Sequence, residues 1–136
     1  MEDYLSAAVR HWESSWVLQK AGCIQDGAYL AGYVGECTLK ACLKRSGNTE
    51  LRSYSHDISI LSKEGIELAW LFIPLFQRYR LPSLINLLNW KAEFRYAPTD
   101  VSENTNFNTL IEEAYSLAQE LLIPMVLDGY FKEIPL

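Results

Sequence analysis

The groups best suited to chemistry in this chain are few and scattered. Arg95-Tyr96 opens a turn-rich stretch, Arg95 to Asp100, between two helical patterns. A guanidinium is planar and permanently charged, so Arg95 suits a phosphate. It suits equally well the last carbonyls of a helix at a bundle corner. Ser55-His56-Asp57 stands where a polar stretch meets a helical pattern. It reads as a capping cluster, or as a polar contact to a ligand or to the stripe holding Tyr29 and Glu36. Glu36 and Lys40 are spaced i, i+4 in the favourable order, acid before base. They form either a solvated pair, or a semi-buried acid bonded to Arg95 or His56 that fixes helix packing. The two histidines, His11 and His56, lie far apart, and no spacing suggests a Cys–His nucleophile pair. Cys23, Cys37 and Cys42 make an odd count with no Cys-x-x-Cys, which points to packing thiols and not to zinc or redox chemistry. Phosphate-loop, dinucleotide and His-Glu-x-x-His motifs are absent. No metal and no cofactor is expected.

These groups need helices to position them. Leu5, Ala8, Val9, Trp12, Trp16 and Leu18 recur at helical spacing and predict a first helix over 3–21, with Asp3 as N-cap and Gly22 as the stop. A short turn leads to a second helix at about 26–45, capped by Asp26. Gly27, Gly32 and Gly35 lie inside it, at a cost of ~1 kcal/mol each against alanine. Close helix–helix approach is the usual reason. Its buried rows are Leu30, Val34, Cys37, Ala41 and Ala31, Gly35, Leu39, Cys42. The stripe Tyr29, Tyr33, Glu36, Lys40 is expected to face a rim or groove. A short helix is expected from Asp57, a third long helix over 66–80 interrupted at Pro74, and another over about 84–94. Residues 95–100 read as a loop. The last helix spans about 103–123, with a stripe from Phe107 to Leu122, and Pro124 should kink or end it. Trp90 and the run from Trp70 to Phe76 read as core, the run also as a dimer face. There is no strand pattern and no internal repeat. The expected architecture is one all-α domain over 1–136, an up-and-down bundle of four to five helices.

Composition fits a folded domain: 49% of the 136 residues are hydrophobic, enough for a core. The net charge is −5, where a sequence-indifferent nucleic-acid binder would be basic. The charge is uneven. Residues 1–99 hold 11 basic against 10 acidic groups, and residues 100–136 hold Lys132 against seven acids. A basic surface on the first three quarters stays open. The N-terminus has no secretory pattern, and no apolar run approaches ~20 residues, so a cytoplasmic protein without a membrane span is expected.

Tyr29, Ala31, Gly32, Tyr33, Glu36, Leu39 and Lys40 together resemble the second-helix signature of HEPN domains, the higher-eukaryote and prokaryote nucleotide-binding family. His56-Asp57-Ile58 followed by Leu61 is similar to the family's His-Asp-Leu step. Trp90 to Tyr96 resembles its Trp…Arg-Tyr element before the last helix. The resemblance covers nearly the whole chain. It implies a helical bundle, often a homodimer, and in many members a metal-independent ribonuclease of toxin–antitoxin or defence systems. Their active site is an Arg, four to six residues, then a His. Arg95 matches the Arg, but Asp100, Val101 and Ser102 occupy the positions for the His. An ionised Asp100 does not replace an imidazole as acid. The resemblance therefore implies a non-catalytic module that binds a nucleotide, RNA or a partner protein through Arg95, Tyr96, Glu36, Tyr33, Lys40 and His56. A small nucleotidyltransferase is the partner it suggests. The alternative is a divergent ribonuclease using Arg95 with His56 or Asp100, and the blander reading is a structural dimerisation unit.

Overall fold

The first helix, α1 (Tyr4–Lys20), starts where the sequence places its cap. The Asp3 carboxylate accepts the backbone N–H of Ser6 at 2.9 Å. It ends at Gly22, whose φ of +85° is the left-handed conformation glycine adopts without a Cβ clash. The Cys23 N–H then reaches back to the Leu18 carbonyl at 2.8 Å, and the Gly22 N–H to that of Gln19 at 3.1 Å. This double bond pattern turns the chain at once into α2 (Ile24–Arg45), antiparallel to α1. The computed structural model describes residues 3–45, 58, 61 and 85–127, without the side chains of residues 43–45, 95, 101 and 125.

α2 begins two residues before the expected start. The Gly27 N–H bonds the Cys23 carbonyl at 2.9 Å, so the helix closes on Cys23 and Asp26 lies inside the first turn. There it meets the positive end of the helix dipole instead of capping it. α2 packs against both α1 and the last helix, α3 (Asn104–Leu127). Val34, Cys37 and Ala41 form a core with Ala8 of α1 and with Ala118 and Leu122 of α3. Ala31, Leu39 and Cys42 share the larger core with Leu87, Trp90 and the α3 stripe Ile111, Ala114, Leu117 and Leu121. Ile58 and Leu61 are fully buried in that core. The helix runs past Pro124 instead of ending there. Proline leaves the Glu120 carbonyl without its helical donor, and Glu120 is exposed, so solvent can take that role.

The stretch expected to be a helix over 84–94 is not one from 85 onward. It is a turn, a 3-10 turn over Leu87–Asn89, extended backbone at Trp90 and Lys91, and a second 3-10 turn over Ala92–Tyr96. The Glu113 carboxylate from α3 explains the first break. It accepts the Asn86 N–H at 3.0 Å and the Asn86 side-chain amide at 2.9 Å, groups that a continuous helix would use differently. The second break puts Trp90 into a notch on α2. A Cβ at Gly32 would overlap the Trp90 indole, and one at Gly35 would come within 2.9 Å of Leu87. Only Gly27 serves helix–helix approach, with its Cβ position 3.3 Å from the Ser15 carbonyl of α1. So two of the three glycines admit side chains of the Leu87–Trp90 turn, not another helix. Arg95 and Tyr96, expected in a loop, belong to the second 3-10 turn.

Among the described residues all regular structure is helical and three helices are long. The short helix at Asp57, the helix over 66–80 with Pro74, and the run from Trp70 to Phe76 lie outside the described residues, Ile58 and Leu61 excepted. No described helix is long and apolar enough to cross a membrane.

The notch gives a direct test. Gly32→Ala should destabilise the fold by about 1–3 kcal/mol, the usual cost of overpacking, or expel the indole. Urea unfolding followed by tryptophan fluorescence measures it. Stability and emission equal to the parent protein's would show that Trp90 does not sit against Gly32.

Candidate functional site

The expected stripe of α2 is present: its Tyr29 end lines a groove, as expected, while Glu36 and Lys40 face inward. Tyr29, Tyr33, Glu36 and Lys40 follow one another every three or four residues, so they share a side of the helix. The Tyr29 and Tyr33 hydroxyls hydrogen-bond at 2.9 Å. Tyr33 meets the Trp90 ring edge-to-face at 4.8 Å, and His11 of α1 stacks on its other neighbour side at 5.4 Å. The Trp90 indole N–H donates to the Tyr29 carbonyl at 3.1 Å, which satisfies the one polar atom of a ring that is otherwise buried.

Glu36 and Lys40 are each only 4% exposed and are joined at 3.3 Å. The solvated-pair reading is therefore corrected: α1 covers both groups. The Lys40 ammonium lies 5.6 Å over the Tyr4 ring. Burial of two charges is no guarantee of stability, but removing one alone strands the other at a cost of about 3–5 kcal/mol. The pair lies within α2, and the Lys40 contact with Tyr4 reaches across to α1.

His11 was set aside in the sequence for want of a partner. Yet Gly22 is eleven residues from both His11 and Tyr33, and eighteen from both Tyr4 and Lys40. In an antiparallel pair turning at Gly22, equal separations face one another. That signal could have found the cluster. Burial holds the His11 pKa below its ordinary 6.5, the Arg10 charge lowers it further, and Glu36 pulls the other way.

The second group lies at the opposite end of α2. The Gln25 side-chain amide clasps the segment leading into α3. It donates to the Pro98 carbonyl at 3.0 Å and accepts the Asp100 N–H at 3.0 Å. Asp100 in turn accepts both the N–H, at 3.1 Å, and the hydroxyl of Ser102 on one carboxylate oxygen, Oδ1. It caps the 3-10 turn Val101–Glu103 that starts α3 through that one oxygen. Tyr96 is 77% exposed and Phe94 43%. Two clefts flank this segment. One of about 380 Å³ is lined by Cys23, Asp26, Tyr29, Phe94, Thr99 and Asn104. Another, of about 300 Å³, is lined by Gln25, Tyr29, Trp90, Phe94, Asp100 and Phe107, among others.

The structure thus keeps the expected residues in two groups. Tyr33, Glu36 and Lys40 form the interior cluster. Tyr96 and Asp100 belong to the clasped segment, with the backbone of Arg95 beside them. Gln25 touches Asp100, and Glu36 is eleven residues further along α2, or ~16 Å down its axis. Asp100 and Glu36 therefore do not share a site. His56, with Ser55 and Asp57, lies outside the described residues. Gln25, Phe94, Glu103 and Phe107 were missed, because an amide and scattered aromatics carry no motif. Among the described residues no group of three His, Cys, Asp or Glu side chains could hold a metal. Compared with family models, curated proteins and solved structures, the chain has no match.

Two outcomes follow from the protonation chemistry. With its folded pKa below 6.5, His11 is protonated more readily in the unfolded chain. Its contribution to stability is therefore full above about pH 6.5 and is lost as the pH falls below that value. The melting temperature of His11→Phe should decline less than the parent's between about pH 7 and pH 5, and an NMR titration should place the His11 midpoint below 6.5. A midpoint above that value would reverse the assignment. Cys23 is exposed, Cys37 and Cys42 are buried, and burial pushes the Cys42 thiol up to about 12. A thiol reagent near neutral pH should therefore label Cys23 alone in the folded chain, and all three cysteines in denaturant.

Proposed function

We propose that the chain is a non-catalytic HEPN-like module, a bundle of four to five helices that works by binding a partner protein. The supporting observation is the clasped segment. It offers exposed Phe94 and Tyr96 beside clefts whose ionisable lining groups include Asp26, Asp100 and Glu103. Exposed aromatics are the commonest anchors of protein interfaces. Carboxylates at the same place repel phosphate, which argues for a protein and against a nucleotide or RNA as the first ligand. Arg95 and the exposed Lys91 are the cationic residues on that stretch. The resemblance points to a small nucleotidyltransferase as the partner, in a two-gene toxin–antitoxin or defence arrangement, and to a homodimer as the module's own state. Glu36, Lys40 and Tyr33 then serve the scaffold behind the segment.

One feature favours a second reading, a metal-independent ribonuclease: Arg95 stands where the family's catalytic arginine stands. The carboxylate Asp100 in place of the family's histidine counts against it.

The test is the native mass of tagged protein isolated gently from its own host, before and after ribonuclease treatment. The expected species is heavier than a homodimer, survives the nuclease, and loses at least about tenfold of its partner in Tyr96→Ala. Extra mass that vanishes with nuclease would replace the protein partner with RNA. RNA cleavage abolished by Arg95→Ala would establish the enzyme instead.

A further inference from the structure

The cleft of about 300 Å³ has a lining chemistry that selects its occupant. Among the described residues lining it, four are aromatic: Tyr29, Trp90, Phe94 and Phe107. Two are acids, Asp100 and Glu103, both exposed. Aromatic rings attract a cation through their quadrupole, and carboxylates attract it through charge. Among the described lining residues there is no cationic side chain for an anion. The size is at the small end of ligand pockets, which run from ~300 to ~1,000 Å³, so it fits one side chain better than a nucleotide.

The acids are also held in place. Asp100 Oδ1 takes both bonds from Ser102, its backbone is fixed by Gln25, and Glu103 Oε2 accepts the Asn106 amide at 2.7 Å. Asp100 Oδ2 and Glu103 Oε1 receive no hydrogen bond from the described residues. No described cation forms an ion pair with either carboxylate. Two fixed carboxylates, each with an oxygen to spare beside aromatic walls, make a receptor whose ordering cost is already met before binding.

We propose that this cleft receives one basic side chain, an arginine or lysine flanked by apolar residues, from the partner protein. The inference rests on the binding-module reading and names the chemistry that reading leaves open. The aliphatic stem lies along the aromatic walls, and the charged head meets Asp100 and Glu103.

The test uses the full chain, labelled with ¹⁵N, and acetylated, amidated Leu-Arg-Leu and Leu-Lys-Leu peptides as probes. A Leu-citrulline-Leu peptide is the neutral control. Both basic peptides should shift the Trp90 indole and Gln25 side-chain amide resonances, and the citrulline peptide should bind at least about tenfold more weakly. Asp100→Asn with Glu103→Gln keeps one acceptor oxygen each for Ser102 and Asn106 and replaces the other carboxylate oxygen with a neutral NH2. It should weaken the basic peptides about tenfold and leave the citrulline peptide unchanged. Glu103→Gln alone, at an exposed position, repeats the measurement in the same direction should the double variant fold poorly. Equal affinity for charged and neutral peptides, undiminished affinity in the variants, or shifts remote from the cleft would overturn the proposal. The two readings fail separately. A native partner lost with Tyr96→Ala but fully retained by Asp100→Asn/Glu103→Gln removes the basic-side-chain cleft and leaves the module. Peptide binding of the expected pattern in a chain that carries no partner from its host removes the module reading and supports the cleft.

Discussion

The arrangement of the three long helices turns on where one proton goes. The Ser15 hydroxyl on α1 is fully buried. It donates to the Gly27 carbonyl of α2 at 2.7 Å, and that oxygen can only accept. The Tyr115 hydroxyl of α3, 2.9 Å away, must therefore be the donor to Ser15. One serine thus joins three helices through a single consistent direction of bonding. Any longer side chain at residue 27 would push α1 off α2 and open both bonds, because the Gly27 position already stands in contact with the α1 backbone. The stacking of Trp12 on Tyr115 at 5.6 Å closes the same corner, and burial raises the Tyr115 pKa against the lowering effect of Ser15. The neutral phenol is the form that donates.

The same helix serves the clasped segment. α2 offers a notch at Gly32 for Trp90, a carbonyl at Tyr29 for its N–H, and an amide at Gln25 for the backbone beyond it. α3 adds the Glu113 carboxylate on the other side. The chain from Ile85 to Asp100 has only the local bonds of two short 3-10 turns, and these outside partners fix how the turns sit against the helices. That is how an irregular stretch can present Phe94, Tyr96 and Asp100 in fixed places without being a helix. A surface built this way is preorganised mainly by its scaffold.

Legibility from the sequence followed the range of the forces involved. Asp3, Gly22 and the apolar stripe of α3 act within a turn or two of the chain, and each was placed correctly from local spacing. The helix expected over 84–94 failed because its hydrogen-bonding groups are taken by Glu113, 27 residues away, and its Trp by a notch 58 residues before it. The burial of Glu36 and Lys40 was hidden for a related reason. Tyrosine, glutamate and lysine read as surface residues until α1 is laid over them, and only then does charge pairing replace hydration.

The sequence by itself determined that the described elements are helical, where α1 and α2 turn, and which residues of α3 are core. These are matters of periodicity, capping and residue identity, all local. Only the tertiary structure decided that Glu36 and Lys40 are interior, that Asp100 is a cap, that two glycines are sockets for side chains, and that Gln25 organises a cleft between two carboxylates and four aromatic rings. Each of those depends on groups far apart in the chain meeting at short range, where burial changes what a charge or a hydroxyl costs. Spacing along one helix carries no record of such a meeting.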